Sequence, residues 1–381
     1  MTQTFEYGTA RIKDLRVISH VNDVGKTVVD SILLNEEPVS PTPRFWNSLH
    51  VRFGFTSNIF RYFSHAEVFE RISSVSPCDE IRWCLQRDEN RRGSLLAVTN
   101  PSAAIIRHDE LLELLQENDT KAIRYDKGVV TSEHEPRLNP TFQIGGDGFR
   151  NKFIIDTPID GYGRPAVYLS MLRLICSNGL VGYSPTFRSE LAVGRGDGGV
   201  RFSLQRVLDG FNNEDGYAAL RQRFEAATRS WASVNEAQKL YKVLVRLHGR
   251  GDISNSVSRV TLGGDGASEF ESSPLFSSFH RMTGDLSQIY GLASLDTLSV
   301  KRQRTLPSAC KVYDLLNFAS EAATHHATEA GNKTLQAYIG ELISGEYDLE
   351  GTVDQFTDWR DFFIGNEQTA STLADLHRRS V

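Results

Sequence analysis

Apolar residues recur along the chain with two periods, and the changes from one to the other mark out candidate elements. A polar N-terminal leader ends at Pro41-Thr42-Pro43-Arg44, which reads as a turn, and the aromatic segment Phe45-Trp46-Asn47-Ser48-Leu49-His50-Val51-Arg52-Phe53 follows it. From Ser64 the period is helical. Val68, Phe69 and Ile72 share one face, and Ser64 with Glu67 three residues on makes a capping box. Residues 80–85 and 94–98 are apolar runs flanking the polar Asp88-Glu89-Asn90-Arg91-Arg92-Gly93, the pattern of a hairpin with a charged loop. A short helix over 109–116 closes a first α+β unit of residues 1–135, and the charged stretch 121–137, with Glu133, Glu135 and Pro136, is the candidate boundary.

Beyond it, residues 151–157 alternate as a strand, Asp160-Gly161-Tyr162-Gly163 turns the chain, and 166–170 runs back, so a hairpin is expected. A continuous helix from Pro165 to a C-cap at Asn178-Gly179 satisfies the Pro-start, Gly-stop asymmetry equally well. The compromise is a strand up to Ser170 and a short helix over 171–178. Glycine turns at 194–199 then lead to a strand over 200–204. A long helix follows over 215–248, where Leu220, Phe224, Ala227, Trp231, Val234 and Ala237 keep a helical period. This second unit covers residues 136–250. Residues 249–275 are rich in Gly, Ser and Asp and read as a loop within a connecting segment, 251–305. Helices over 308–329, 334–344 and 372–379 make a mostly helical C-terminal part, 306–381. The expected class is α+β: an antiparallel sheet with a β-hairpin, packed by the long helices 215–248 and 308–329.

Composition narrows the function more than the fold. With 381 residues, 40% of them apolar, the chain can bury a substantial core in two or three units. No apolar run approaches the roughly 18 to 20 residues that span a bilayer, and the first residues lack the pattern of a signal peptide. A cytoplasmic protein with no membrane partner is expected. Cys78, Cys84, Cys176 and Cys310 form no Cys-x-x-Cys pair, so they read as reduced, mostly buried thiols. A net charge of −6 argues against coating nucleic acid by bulk attraction but leaves room for a local basic site. Only ten of the 42 basic residues are lysines, and guanidinium suits bidentate phosphate contacts and base stacking.

The candidate chemistries thin out quickly. Glu321, His325 and Glu329 fall at four-residue steps on one helix, as metal ligands do, but there is no His-Glu-x-x-His and no second ligand helix. The glycine loops at 145–148, 194–199 and 263–266 lack a following Lys-Ser or Lys-Thr and do not spell Gly-x-Gly-x-x-Gly, so no cofactor is implied. Their Asp-Gly content suits tight turns at positive φ. No Gly-x-Ser-x-Gly elbow occurs, and Cys176, among Leu174, Ile175 and Leu180, reads as a structural thiol despite Arg173 nearby. No catalytic residue and no metal site is expected. What remains is arginine beside aromatic: Arg44, Trp46, His50, Arg52, Phe53, Arg61 and Tyr62 in one set, and Arg150, Lys152, Tyr162, Arg164, Arg173, Arg188, Arg201 and Arg206 in another. Single-stranded nucleic acid is held by such chemistry, guanidinium on phosphate and ring on base. The expected groove carries Arg164 and Arg173, helped by Arg188, Arg201 and Arg206, with Tyr162 and Tyr168 stacking on bases. The plainer alternative is an aromatic core under surface arginines.

Two runs carry a family resemblance: Arg173-Leu174-Ile175-Cys176-Ser177-Asn178-Gly179-Leu180, and Tyr313-Asp314-Leu315-Leu316-Asn317-Phe318-Ala319-Ser320-Glu321. They resemble signatures of the phage and plasmid-like family known as domain of unknown function 932. Arg173, Cys176, Ser177, Asn178 and Gly179 match its first run, and Tyr313, Asn317, Ser320 and Glu321 its helix. Gly179 stands where many relatives carry Thr, a change that alters a helix end more than a site. The resemblance is strongest over 145–204 and 306–344, with the first 135 residues as an extension. It implies DNA metabolism of a mobile element, hence a homo-oligomeric single-stranded DNA-binding or annealing-type accessory protein in recombination or replication. Cys176, Ser177, Asn178, Gly179, Tyr313, Asn317 and Glu321 are expected to shape turns and helix ends. Two other readings stand beside it. One is a phage structural or assembly protein using exposed Trp46, Phe60 and Phe63 as protomer contacts. The other is a metal-dependent enzyme acting on nucleic acid through Glu321, His325 and Glu329.

Overall fold

A computed structural model describes residues 4–89, 93–118, 120, 122–137, 141–174, 179–181, 188–194, 196, 198–229, 231–233, 308–321, 323, 336, 339 and 340. The first sheet is built from β1 (Thr4–Arg11), β2 (Arg16–Val21), β3 (Thr27–Leu34), β4 (Glu37–Pro41), β5 (Glu80–Arg87) and β6 (Gly93–Thr99). Its order is β1-β5-β6-β4-β3-β2, antiparallel except where β4 meets β6. Between β4 and β5 lie α1 (Pro43–Arg52) and α2 (His65–Val75). The turn expected at 41–44 is a helix start: Thr42 Oγ1 accepts from Phe45 N at 3.1 Å and Pro43 takes the first turn, where its missing N–H costs nothing. The aromatic segment is therefore α1. The capping box of α2 forms as expected, with Glu67 N donating to Ser64 Oγ (3.3 Å) and Ser64 N to Glu67 Oε2 (2.7 Å). Phe45, Leu49, Phe69 and Ile72 pack with Ile32, Ile81 and Leu95 in one core.

After α3 (His108–Glu117) comes the second sheet: β7 (Ala122–Asp126), β8 (Val129–His134), β9 (Thr141–Ile144), β10 (Asp147–Pro158), β11 (Ala166–Arg173), β12 (Gly179–Val181) and β13 (Arg188–Glu190). Its main path is β12-β11-β10-β8-β7, with β9 on β10 and β13 on β11. The stretch 121–137 is thus no boundary. It holds the β7–β8 hairpin, turned by Lys127 and Gly128 at φ 43° and 92°, and its charges look like a linker because they occupy one face of a strand. The β10–β11 hairpin forms as expected, pairing Phe153 with Leu169. The helix expected over 171–178 does not begin: β11 continues to Arg173 with Met171 fully buried, and Leu172 pairs with Gly179.

The strand expected over 200–204 is instead the start of α4 (Gly199–Gly210). Val200, Ser203 and Leu204 are buried at helical spacing, a period that a five-residue window does not resolve. The long helix 215–248 is shorter where it is described: α5 (Glu214–Arg229) is followed by β14 (Trp231–Ser233), which pairs with β15 (Ser308–Lys311). The helix expected from 308 accordingly starts as β15, and α6 spans Val312–Glu321. Residues 234–307, and the helices expected at 334–344 and 372–379, lie outside the described residues, apart from helical Gln336, Ile339 and Gly340.

Strand alternation divides the second sheet into unlike faces. Val130, Phe153, Ile155 and Val167 face α3 and α4, and farther along the same face Phe149 meets Phe224 of α5 and Tyr313 of α6. The opposite face carries a small buried cluster of Ile154, Ala166 and Tyr168 amid charged residues. Mixed helices and antiparallel sheets make this an α+β protein. Among the described residues no helix is long and apolar enough to cross a membrane.

A buried ion pair joins the two sheets. Arg44 of α1 donates from Nη2 to Asp160 Oδ1 at 2.9 Å and from Nε to Oδ2 at 2.5 Å, and both side chains are buried. Tyr125 of β7 adds a second link, donating to Gln86 Oε1 of β5 at 2.8 Å while accepting from Gly128 N.

Candidate nucleic-acid interface

The arginines expected to line one groove are dispersed by the fold. On the charged face of the second sheet, Arg188 donates from Nη1 to Glu190 Oε1 (2.9 Å) and from Nε to Tyr168 Oη (3.1 Å). Tyr168 is only 5% exposed, and burial raises its phenol to about 12, so its ring is core and cannot stack on a base. Arg164 is 73% exposed and lies 3.9 Å from the same Glu190. Neighbouring cations on this face are matched in the same way: Arg124 and Lys152 with Glu133, and Arg150 with Glu135. Tyr162 lies under the Arg44 guanidinium, 5.0 Å from ring centroid to Cζ, and its carbonyl accepts from Arg44 Nη2. It belongs to the junction between the sheets.

Arg173 points to the helix-covered face, and Arg201 lies elsewhere again. On α4, Arg201 sits 3.8, 3.8 and 3.6 Å from Glu110, Glu113 and Glu117 of α3, while Arg206 is exposed with no ion pair among the described residues. Four of the five expected phosphate ligands therefore already have carboxylate neighbours. Apart from Arg188, whose Glu190 is two residues on, the sequence displays these cations but hides their partners, which lie 9 to 91 residues away.

The two runs that carry the resemblance meet on one carboxylate. Arg173 Nη2 donates to Asp147 Oδ2 at 2.6 Å, and Tyr313 Oη donates to the same oxygen at 2.7 Å. Burial, reinforced by the Asp147 acceptor, raises the Tyr313 phenol well above its ordinary range and keeps it a donor. Asn317, one turn along α6, is buried beside Tyr313. Gly145 and Gly146, at φ 59° and 89°, turn β9 into β10 and so deliver Asp147 to this spot. The arrangement pins α6 to the end of the sheet. Gly179 lies in β12; Cys176, Ser177 and Asn178 lie outside the described residues, as do His325 and Glu329 of the metal reading, while Glu321 ends α6. Of the thiols, Cys84 is buried and pushed up by that burial, whereas Cys78 is exposed.

The first arginine and aromatic set comes out differently. Arg44 is buried in its ion pair, and Trp46 and His50 are buried on α1, so Trp46 is no protomer contact. Phe60 likewise packs against the core, leaving Phe63 at 53% exposure from that expected trio. The rings form a ladder: Phe45 to Trp46 at 4.9 Å, Trp46 to His65 at 4.6 Å, and His65 stacked on Phe60 at 4.3 Å. Burial, then the charge of Lys26, lowers the His65 imidazole below its ordinary value, so at neutral pH it acts as an uncharged ring. Where this ladder reaches the surface, Arg61 and Tyr62 are exposed beside Phe63, Tyr62 by 81%, and Arg61 makes no ion pair among the described residues. An open cavity of about 420 Å³ adjoins it, lined by Trp46 and His65 and by Lys26, Val28 and Asp30 of the β2–β3 hairpin. Sequence reasoning missed Lys26 and Asp30, since nothing local ties a hairpin tip to helices some 20 to 40 residues on.

Compared with protein-family models, with curated proteins and with solved structures, the chain finds no match in any of the three.

Proposed function

We propose that the protein is a single-stranded nucleic-acid-binding accessory protein, and that it binds through the exposed Arg61-Tyr62-Phe63 segment between α1 and α2 instead of an arginine groove on the second sheet. The observation that carries this reading is a guanidinium with no ion pair among the described residues beside two exposed rings, the pairing that holds phosphate and base together. Its setting, which the resemblance to the phage and plasmid-like family implies, is recombination or replication of a mobile element. There it works as a homo-oligomer and contributes no chemical step.

The test is fluorescence anisotropy of a labelled single-stranded oligonucleotide and of its duplex, across a salt series. Single-strand preference with affinity falling steeply in salt is the expected result. Replacing Arg61, Tyr62 and Phe63 together by Ala should weaken binding at least tenfold, about the scale of one or two lost base stacks. No binding at low salt would sink the reading. An assembly role would then gain ground, because β2 is an edge strand whose hairpin exposes Ile18, Val21 and Val24. Sedimentation showing a large assembly indifferent to DNA would decide for it.

A further inference from the structure

The cavity between the β2–β3 hairpin and the two helices has no role in the reading so far. Its walls are chemically mixed in a particular way. The half-buried His65 and the buried Trp46 bring ring atoms to one wall, Val28 and Pro41 supply apolar sides, and Lys26 and Asp30 bring one cation and one carboxylate. Its size, about 420 Å³, lies within the range of small-molecule sites. The hairpin tip is held in shape by Asn22, whose Oδ1 accepts from Val24 N (3.2 Å) and Lys26 N (2.9 Å). Lys26 makes no ion pair among the described residues, whereas Asp30 Oδ1 is bonded to His20 Nδ1 at 2.7 Å.

We propose that this cavity takes a single nucleobase of the bound strand, packed against the ring atoms that His65, and Trp46 behind it, present to the cavity, with Lys26 on the adjoining phosphate and Asp30 accepting from a base N–H. The inference rests on the strand-binding reading above and locates one base of that strand. A planar, partly apolar ligand bearing both an anion and hydrogen-bond donors is what these walls complement. An aliphatic ligand would leave the charges unmatched, and an inorganic anion would leave the rings unused. Continuity favours a strand over an isolated ligand, since Tyr62 and Phe63 are only two or three residues from His65.

The test plugs the cavity. Val28 is 37% exposed, so Val28→Trp adds bulk at the mouth without entering the core, and far-UV circular dichroism checks that it folds. This variant is expected to bind a labelled single-stranded oligodeoxynucleotide about tenfold more weakly than wild type, the scale of one base stack. Val28→Thr, which keeps the opening, should bind as wild type does. Equal binding by Val28→Trp and wild type overturns the inference and leaves the strand reading standing. If wild type binds no strand, the strand reading falls, and deoxyadenosine 5′-monophosphate then decides the cavity by itself. Binding of this nucleotide in isothermal titration calorimetry that Val28→Trp abolishes would keep it as a nucleotide site, and no binding would overturn it.

Discussion

On the charged face of the second sheet, Arg124, Arg150, Lys152 and Arg188 each pair with a carboxylate, while beside the aromatic ladder of the first unit Lys26 and Arg61 make no ion pair among the described residues. In the linear chain both regions look like arginine mixed with aromatics. Folding separates them through what lies across the strand. The counterions released on binding come from the nucleic acid, and a guanidinium that must leave its carboxylate to reach a phosphate leaves that anion uncompensated, so the exchange gains little net affinity. The pair itself contributes only about 0 to 1 kcal/mol when exposed, so such faces serve solubility and strand register more than binding. Density of arginine is thus a poor guide to nucleic-acid contact until the carboxylates around it are placed.

The largest expected effect tests whether the two sheets act as one body at all. Asp160→Asn leaves the Arg44 guanidinium buried without its counter-charge, so a loss of about 3 to 5 kcal/mol is expected in urea unfolding. A loss below about 1 kcal/mol would show that the sheets are joined by their apolar contacts instead. Next comes a pH effect confined to the second sheet. His134 of β8 is buried against Phe153 and bonded to Ser132 Oγ, and burial lowers its imidazole to about 4. As pH falls below 6.5 the unfolded chain takes up the proton first, and the folded state follows only near 4. Stability is therefore flat above 6.5 and declines across that window, by up to about 3 kcal/mol. His134→Phe should remove that part of the slope. An unchanged pH profile in this variant would place the acid sensitivity elsewhere.

Local signals in the sequence were reliable where one element determines its own structure. The α2 capping box, the β5–β6 and β10–β11 hairpins, and α3 all follow from residues within a few positions of each other. Errors arose where distant partners decide. The segment 200–204 has too few residues to show its period, and 171–173 continues as a strand because β12 pairs along it. The candidate site divides in the same way. Arg61 and Tyr62 stood out from their types alone. The loss of Arg173 and Arg201 to carboxylates could not be read, since Asp147 and the α3 glutamates lie 26 to 91 residues away. The meeting of the two family-like runs at Asp147 was equally hidden, being a contact across 166 residues.

That meeting gives the next expectation. Asp147→Asn removes the charge shared by Arg173 and Tyr313 and should cost about 2 kcal/mol, the scale of hydrogen bonds to a charged group, with strand affinity unchanged. A drop in affinity without a drop in stability would move the interface back to the second sheet.

The smallest effect is the sharpest probe of the comparison. Arg201 faces Glu110, Glu113 and Glu117, and it is 36% exposed, so Arg201→Ala should destabilise by about 1 kcal/mol or less, through the repulsion left among three glutamates on one helix face. Removing it exposes net negative charge, which disfavours a strand only by diffuse repulsion and leaves the number of phosphate contacts as it was. Arg61→Ala should instead lower the slope of log affinity against log salt by about one, because one phosphate contact and its released counterion are gone. The two variants differ by the same lost charge, so bulk electrostatics cannot separate them and only a direct contact can. If Arg201→Ala reduces the slope as much as Arg61→Ala does, paired and unpaired arginines bind alike, and the distinction drawn between the two sheets fails.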